Sequence, residues 1–329
     1  MSQFNINSGL GQLTAIAMSV AGPFPGKLHV VCPSTDANYD KLSQMFSYDP
    51  DGVAVLHTTL NDAYSACVSG NDDVIVMTAN GVHTLTAPIA WTKNRIHVIG
   101  LDGGSRRFDQ GTKVDSATTG TVSYVLQVTG TRNTFKNIKF IQSSTQATAL
   151  TVLEMGGEGN VYQNCSAIFD VSTNLGLTTA HEVVCGEDSG TFIDCTWGSD
   201  TLLTSGARSV FLIKEVTASQ EFKDNDMRGC NFLISSSSSS ALLMAVNSTT
   251  DVLFHNLFER CSFIASVNSA GGAVLTNAVA SASGLVKGTL DLKDCSSFHC
   301  TDLCAGVTDQ VFHSGTISSS ESGLAIQSS

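Results

Sequence analysis

The chain has 329 residues, 42% of them hydrophobic, enough to bury a sizeable core in one large domain or two ordinary ones. Only 14% of residues are charged, and 29 Asp and Glu face 17 Lys and Arg, for a net charge of -12. That balance argues against a nucleic acid or an anionic membrane surface as partner, and no segment approaches the ~20 apolar residues of a membrane span.

Residues 1–27 mix apolar side chains with Gly and Pro and read as an N-terminal arm that docks on a partner subunit. The apolar run Leu10–Gly22 has no Lys or Arg before it, since the first is Lys27. A short buried arm or helix suits it better than a secretory signal. Residues 28–90 form the next unit. "LHVVCPSTDANYD" predicts a strand leading into a polar turn. Between Thr58 and Gly70, Leu60, Ala63, Ala66 and Cys67 fall near helical spacing, and Gly70 ends the helix. "DDVIVMTANGVHTL" predicts a strand, a turn at Asn80-Gly81 and a second strand. The glycine-rich Gly100–Arg107 matches no phosphate-binding fingerprint and reads as a loop.

Residues 91–329 carry one recurring pattern. An Asn or Gly is followed by apolar residues two, five and seven positions later. Copies start at Asn94, Asn133, Asn160, Gly190, Asn225, Asn256 and, with Leu in first place, Leu290; the gaps are 39, 27, 30, 35, 31 and 34 residues. The second and fifth positions hold Phe135 and Ile138, Tyr162 and Cys165, Phe192 and Cys195, Met227 and Cys230, Phe258 and Cys261, and Leu292 and Cys295. In the Asn94 copy they are Ile96 and Ile99, with Leu101 in the seventh place. Positions five and seven alternate as one strand face does, whereas the period breaks between two and five. At the break stand Asn137, Asn164, Asp194, Gly229, Arg260 and Asp294. Asn, Asp and Gly tolerate a left-handed backbone. Each copy therefore predicts a short strand, a tight corner and a second strand, with apolar residues of both strands pointing inward. Stacked units of this kind make a solenoid. The expected fold is all-β: a solenoid of roughly eight coils, each strand beside its counterpart in the next coil, with an irregular C-terminal end.

Cys165, Cys195, Cys230, Cys261 and Cys295 share a position that Ile138 also fills, so they read as a core ladder rather than as nucleophiles or disulfides. The strongest metal candidate is Cys295, Cys300 and Cys304 with His299, but the spacing is not that of a zinc ribbon. Glu154, Glu158, Glu182, Glu187, Asp188, Asp200, Glu215 and Glu221 are dispersed and read as solvated loop charges. Tyr162, Trp197 and most Phe fall on inward offsets, leaving few aromatics for a sugar-binding groove. "SSSSSS" (Ser235–Ser240) reads as a flexible loop or as a polar strand face packed on a neighbouring subunit. No catalytic, cofactor-binding or metal-ligating residue is assigned.

The helix "TLNDAYSAC" followed by "DDVIVMTANGVHTL", and later coils such as "NTFKNIKF" and "NVYQNC", resemble right-handed parallel β-helix proteins of the pectate-lyase-like class. There the helix caps the open end of the solenoid, which would otherwise expose strand edges. The chain is also similar to β-helix structural proteins of tailed-phage virions. That resemblance implies a non-enzymatic capsid decoration, or cement, protein on the outer surface of the head, made in the host cytoplasm. Its partners would be further copies of itself, as a homotrimer, and the major capsid protein, with no nucleic acid, membrane or cofactor. The fold also hosts tailspike-like polysaccharide-degrading enzymes and non-catalytic host-adhesion or carbohydrate-binding β-helices.

Overall fold

In the computed structural model the chain winds into a parallel β-helix. The structure describes residues 26–305 apart from most of 47–53, residue 80, and 102–110, 172–173, 218–220, 249–250, 267–270 and 282–286; it also describes 311–314, 317–319 and 325–326. The expected arm at 1–27 therefore lies almost wholly outside the described residues, as do Asn80 and most of Gly100–Arg107.

Three sheets of 12, 10 and 8 strands form the walls, and through most of each sheet neighbours are separated in sequence by two strands of the other sheets. One coil shows the order. Val161–Gln163 belongs to the first sheet, Ser166–Phe169 to the second and His181–Cys185 to the third. Every pairing between successive coils is parallel, and the exception is a terminal antiparallel pair, Ile317–Ser319 with Ala325–Ile326. The eight strands of the third sheet run from Ile89–Trp91 to Cys300–Ala305.

The corners follow from backbone sterics. Asn137, Asn164, Asp194, Gly229, Arg260 and Asp294 all have φ between 49° and 63°. A residue there turns the chain between the first and second sheets without breaking either ladder. Asn, Asp and Gly bear this conformation at low cost, and Arg260 bears it at a cost of roughly 1–2 kcal/mol.

The core is a stack of side chains along the solenoid axis. Phe135, Tyr162, Phe192, Met227, Phe258 and Leu292 occupy successive positions of the first sheet in unbroken register. Tyr162 lies stacked between Phe135 and Phe192, with centroids 5.3 and 5.1 Å away. Phe232 and Phe263 stack at 4.7 Å in the second sheet. Stacked pairs of this kind contribute about 0.5–1.5 kcal/mol each beyond the area they bury.

The N-terminal end is closed by a helix, Leu60–Ala66, whose N-cap Thr59 accepts a hydrogen bond from the Asp62 amide. Leu60, Ala63, Tyr64 and Cys67 face the core. Ala66, expected inward, is exposed, and Tyr64 takes its place, stacked on Trp91 at 4.1 Å. The helix is short enough that its inward face is Leu60, Ala63, Tyr64 and Cys67, a three-four spacing that Ala66 does not fit. Lys93 Nζ donates to the carbonyls of Tyr64, Ser65 and Cys67 at 2.7–2.9 Å, satisfying the last turn. A second helix, Tyr39–Phe46, replaces part of the expected turn after the first strand.

One register differs from the sequence reading. Val98, not Ile96, pairs with Phe135, and Ile96 pairs on its other side with Asp73. The Asn94 copy is thus displaced by two residues. A shift of two keeps the inward phase of a strand, which is why the apolar pattern did not expose it. Ile99 consequently pairs with Lys136 instead of aligning with Ile138, and Leu101 is exposed.

Candidate functional site

Phe135, Ile138, Tyr162, Cys165, Phe192, Cys195, Met227, Cys230, Phe258, Cys261, Leu292 and Cys295 are all buried. Each ladder thiol sits just past a corner and points at the preceding coil. Cys165 Sγ lies 3.3 Å from the Phe135 carbonyl oxygen, Cys195 Sγ 3.3 Å from that of Tyr162, and Cys295 Sγ 3.2 Å from that of Phe258. Burial pushes the Cys165 thiol up to about 12 and Cys195 well above the usual thiol value. Enclosed and held protonated, these two thiols are packing groups, not nucleophiles. All ten cysteines are free.

The Asn that opens each copy has its own task. Asn160 Oδ1 accepts from the Asn133 amide at 2.7 Å, and Asn133 Oδ1 accepts from the Ile96 amide at 2.9 Å. Further along, Asn256 Oδ1 accepts from the Asn225 amide at 3.1 Å, and Asn225 Oδ1 from the Gly190 amide at 2.8 Å. This is a buried ladder of amides, one per coil, satisfying backbone donors where the chain enters the first sheet. In the coil that carries Gly190 the rung is supplied by Glu187. Its Oε1 accepts from Asn160 Nδ2 at 2.7 Å and from the Asn160 amide at 3.3 Å, and its Oε2 accepts from the Gly157 amide at 3.3 Å. Burial outweighs these donors and pushes the Glu187 carboxyl up to about 8.

Glu182 is likewise not a solvated loop charge. It forms a two-point ion pair with Arg208, at 2.5 and 2.8 Å, and both side chains are 1% exposed. The expectation of solvation fails for Glu182 and Glu187 because their partners stand one coil away, 26 and 27 residues distant in sequence.

A groove of about 730 Å³ lies on the outside of the third sheet. Gln127, Glu154, Val184, Leu212 and Ala245 lie in register across five coils there. Gln127 Nε2 donates to Glu154 Oε2 at 2.6 Å. Burial raises the Glu154 carboxyl, with Gln127 and the Lys214 charge opposing, and burial followed by Glu154 raises the Tyr124 hydroxyl. On the same wall burial pushes His181 down to about 4; its Nδ1 faces the Ser209 carbonyl oxygen at 2.9 Å. The groove therefore offers a carboxyl shifted upward by burial, a neutral imidazole, a lysine and an apolar strip. Glu154 and Glu215 are its lining carboxylates. Large exposed aromatics among the described residues, Tyr48, Phe254 and Phe298, lie elsewhere.

Cys295, Cys300, Cys304 and His299 do not converge as a ligand set among the described residues; His299 Nδ1 faces the Ala265 carbonyl oxygen at 2.9 Å. Of the "SSSSSS" run, Ser235 and Ser236 end a strand and are buried, with Ser236 Oγ donating to the Thr204 carbonyl at 3.3 Å.

No family model and no curated protein matches the chain. Solved structures do. A pectin methylesterase from Aspergillus niger superposes with a TM-score of 0.50 at 12% identity, over 89% of this chain and 86% of that one. A pectin methylesterase in complex with a hexasaccharide gives 0.51 at 12% identity, over 90% of this chain and 91% of that one. ORF18 of Geobacillus virus E2 gives 0.47 at 13% identity, over 84% of this chain and 59% of that one, a score too low to carry an argument. At such identities the likeness shows the fold alone. The chain has the parallel β-helix fold that pectin methylesterases also adopt.

Proposed function

We propose that the chain is a non-enzymatic structural protein of a tailed-phage virion, a capsid decoration protein on the outer surface of the head. Its partners on this reading are two further copies of itself and the major capsid protein. The observation that carries the reading is where the buried polar chemistry goes. The Asn–Glu187 ladder and the Arg208–Glu182 pair bind coil to coil inside the protein. The outside carries few charges and an in-register apolar strip, Val184, Leu212 and Ala245, on one wall. A stiff rod with a weakly charged wall suits burial against another subunit. Mass spectrometry of purified particles tests it. A decoration protein is expected at a copy number comparable to the major capsid protein; a few copies per particle, or none, would overturn the reading.

A second reading rests on Glu154. A carboxyl whose hold on its proton is strengthened by burial in a groove is suited to general acid work or to hydrogen bonding a sugar. Incubating the purified chain with a panel of polysaccharides, followed by product analysis, separates the two. Turnover that is lost in Glu154→Gln would favour an enzyme and displace the structural role.

A further inference from the structure

We infer that His29, Cys67 and Asp73 form a zinc site that staples the N-terminal cap to the first full coil. The three come from three different elements. His29 lies in the strand Leu28–Val31, Cys67 is the C-cap of the capping helix, and Asp73 opens the strand Asp73–Met77. One ligand atom from each lies within 4.8 Å of the others, and the residues are only 1%, 4% and 0% exposed. An imidazole nitrogen, a thiolate and a carboxylate oxygen are together a borderline donor set that suits Zn²⁺ better than Ca²⁺ or Mg²⁺.

The surroundings fit a ligand role for each residue. Asp73 Oδ1 accepts from the Lys27 amide at 2.6 Å and from Asn71 Nδ2 at 2.8 Å, and Oδ2 accepts from the Val68 amide at 2.6 Å. A carboxylate has about four acceptor sites, so three donors hold its orientation and leave Oδ2 a lone pair. All three donors are neutral, so a cation would offset the cost of burying this charge. His29 Nδ1 faces His57 Nε2 at 3.0 Å. Metal-bound histidines commonly use the second ring nitrogen in this way, which fixes the tautomer and aims Nε2 at the metal. His57 is thus a positioning residue, and a water completes the fourth position. On binding, the Cys67 thiol proton leaves to solvent as the zinc–sulfur bond forms.

Such a site would tie down the open end of the solenoid, where strand edges most need protection. It stands apart from the proposed virion role and does not depend on it. The test uses the full chain, equilibrated with zinc and then desalted. Elemental analysis is expected to find about one zinc per chain, a chelator to lower the Tm, and added zinc to restore it. Cobalt loading should give a thiolate-to-cobalt absorption band that Cys67→Ser removes and Cys295→Ser keeps. If the wild-type chain retains no zinc and its Tm is indifferent to both chelator and zinc, the site does not exist. A cobalt band that survives in a folded Cys67→Ser would equally overturn the assignment. Should Cys67→Ser fail to fold, the wild-type zinc content and Tm decide.

Discussion

Gly190 and Glu187 share one slot in the amide ladder: a Cβ on Gly190 would stand 2.5 Å from Glu187 Cγ and 2.8 Å from Asn225 Oδ1. In five of the other copies the opening residue is Asn; here the side chain comes from three residues earlier, and glycine leaves room for it. Gly190→Ala should therefore destabilise the fold by about 1–3 kcal/mol through overpacking, seen as a lower denaturant midpoint. Glu187→Ala combined with Gly190→Asn should regain much of that loss by rebuilding the standard rung. A neutral Gly190→Ala would show that the slot is not shared.

Glu187 also predicts a pH dependence. Its folded value, about 8, lies above the ordinary 4.5. The folded state thus holds the proton more tightly than the unfolded chain. That contribution is complete below about pH 4.5 and is lost as pH rises through about 8, and it is on the order of a few kcal/mol. Thermal melts between these limits should show wild type losing stability relative to Glu187→Gln, which cannot ionise. Parallel curves for the two proteins would refute the assignment.

Arg208 and Glu182 form a closed pair with no solvent to take over either charge. Arg208→Met leaves a buried carboxylate alone and should cost roughly 3–5 kcal/mol. Adding Glu182→Leu removes that charge, and the double variant should be much more stable than the single one. Chemical denaturation of the single and double variants closes the cycle; additive losses would mean the two groups are not coupled.

The thiol ladder should behave as core. Cys195→Ala should cost on the order of 1–2 kcal/mol, through the small cavity it leaves. In the native protein, Cys165, Cys195, Cys230, Cys261 and Cys295 should resist maleimide until the chain unfolds, as followed by mass spectrometry. Rapid labelling of Cys195 in folded protein would contradict its burial.

Phe135, Tyr162, Phe192 and their neighbours were legible because a solenoid repeats one local problem: an inward apolar residue, a left-handed corner, another inward residue. The opening Asn is visible as a marker, but not its partner, because the Asn133 amide donates to Asn160 Oδ1, one coil further on. The copy at Asn94 was misplaced by two residues since a strand's period of two conceals such a slip. Glu182 and Glu187 were misread because a carboxylate is usually solvated, and only a neighbouring coil reveals otherwise.

Local sequence, then, determined the unit: short strands, corners that need positive φ, a helix capped at Thr59, and a charge-poor surface. Stacking decided the rest. Parallel pairing between coils set the register of every strand, buried the carboxyls of Glu187 and Glu182, laid Glu154 beside Gln127, and gathered His29, Cys67 and Asp73 beneath the cap. Apart from Cys67 and Asp73, those contacts join residues that lie one coil or more apart along the chain. Their chemistry comes from a low-dielectric neighbourhood that no local stretch of sequence contains.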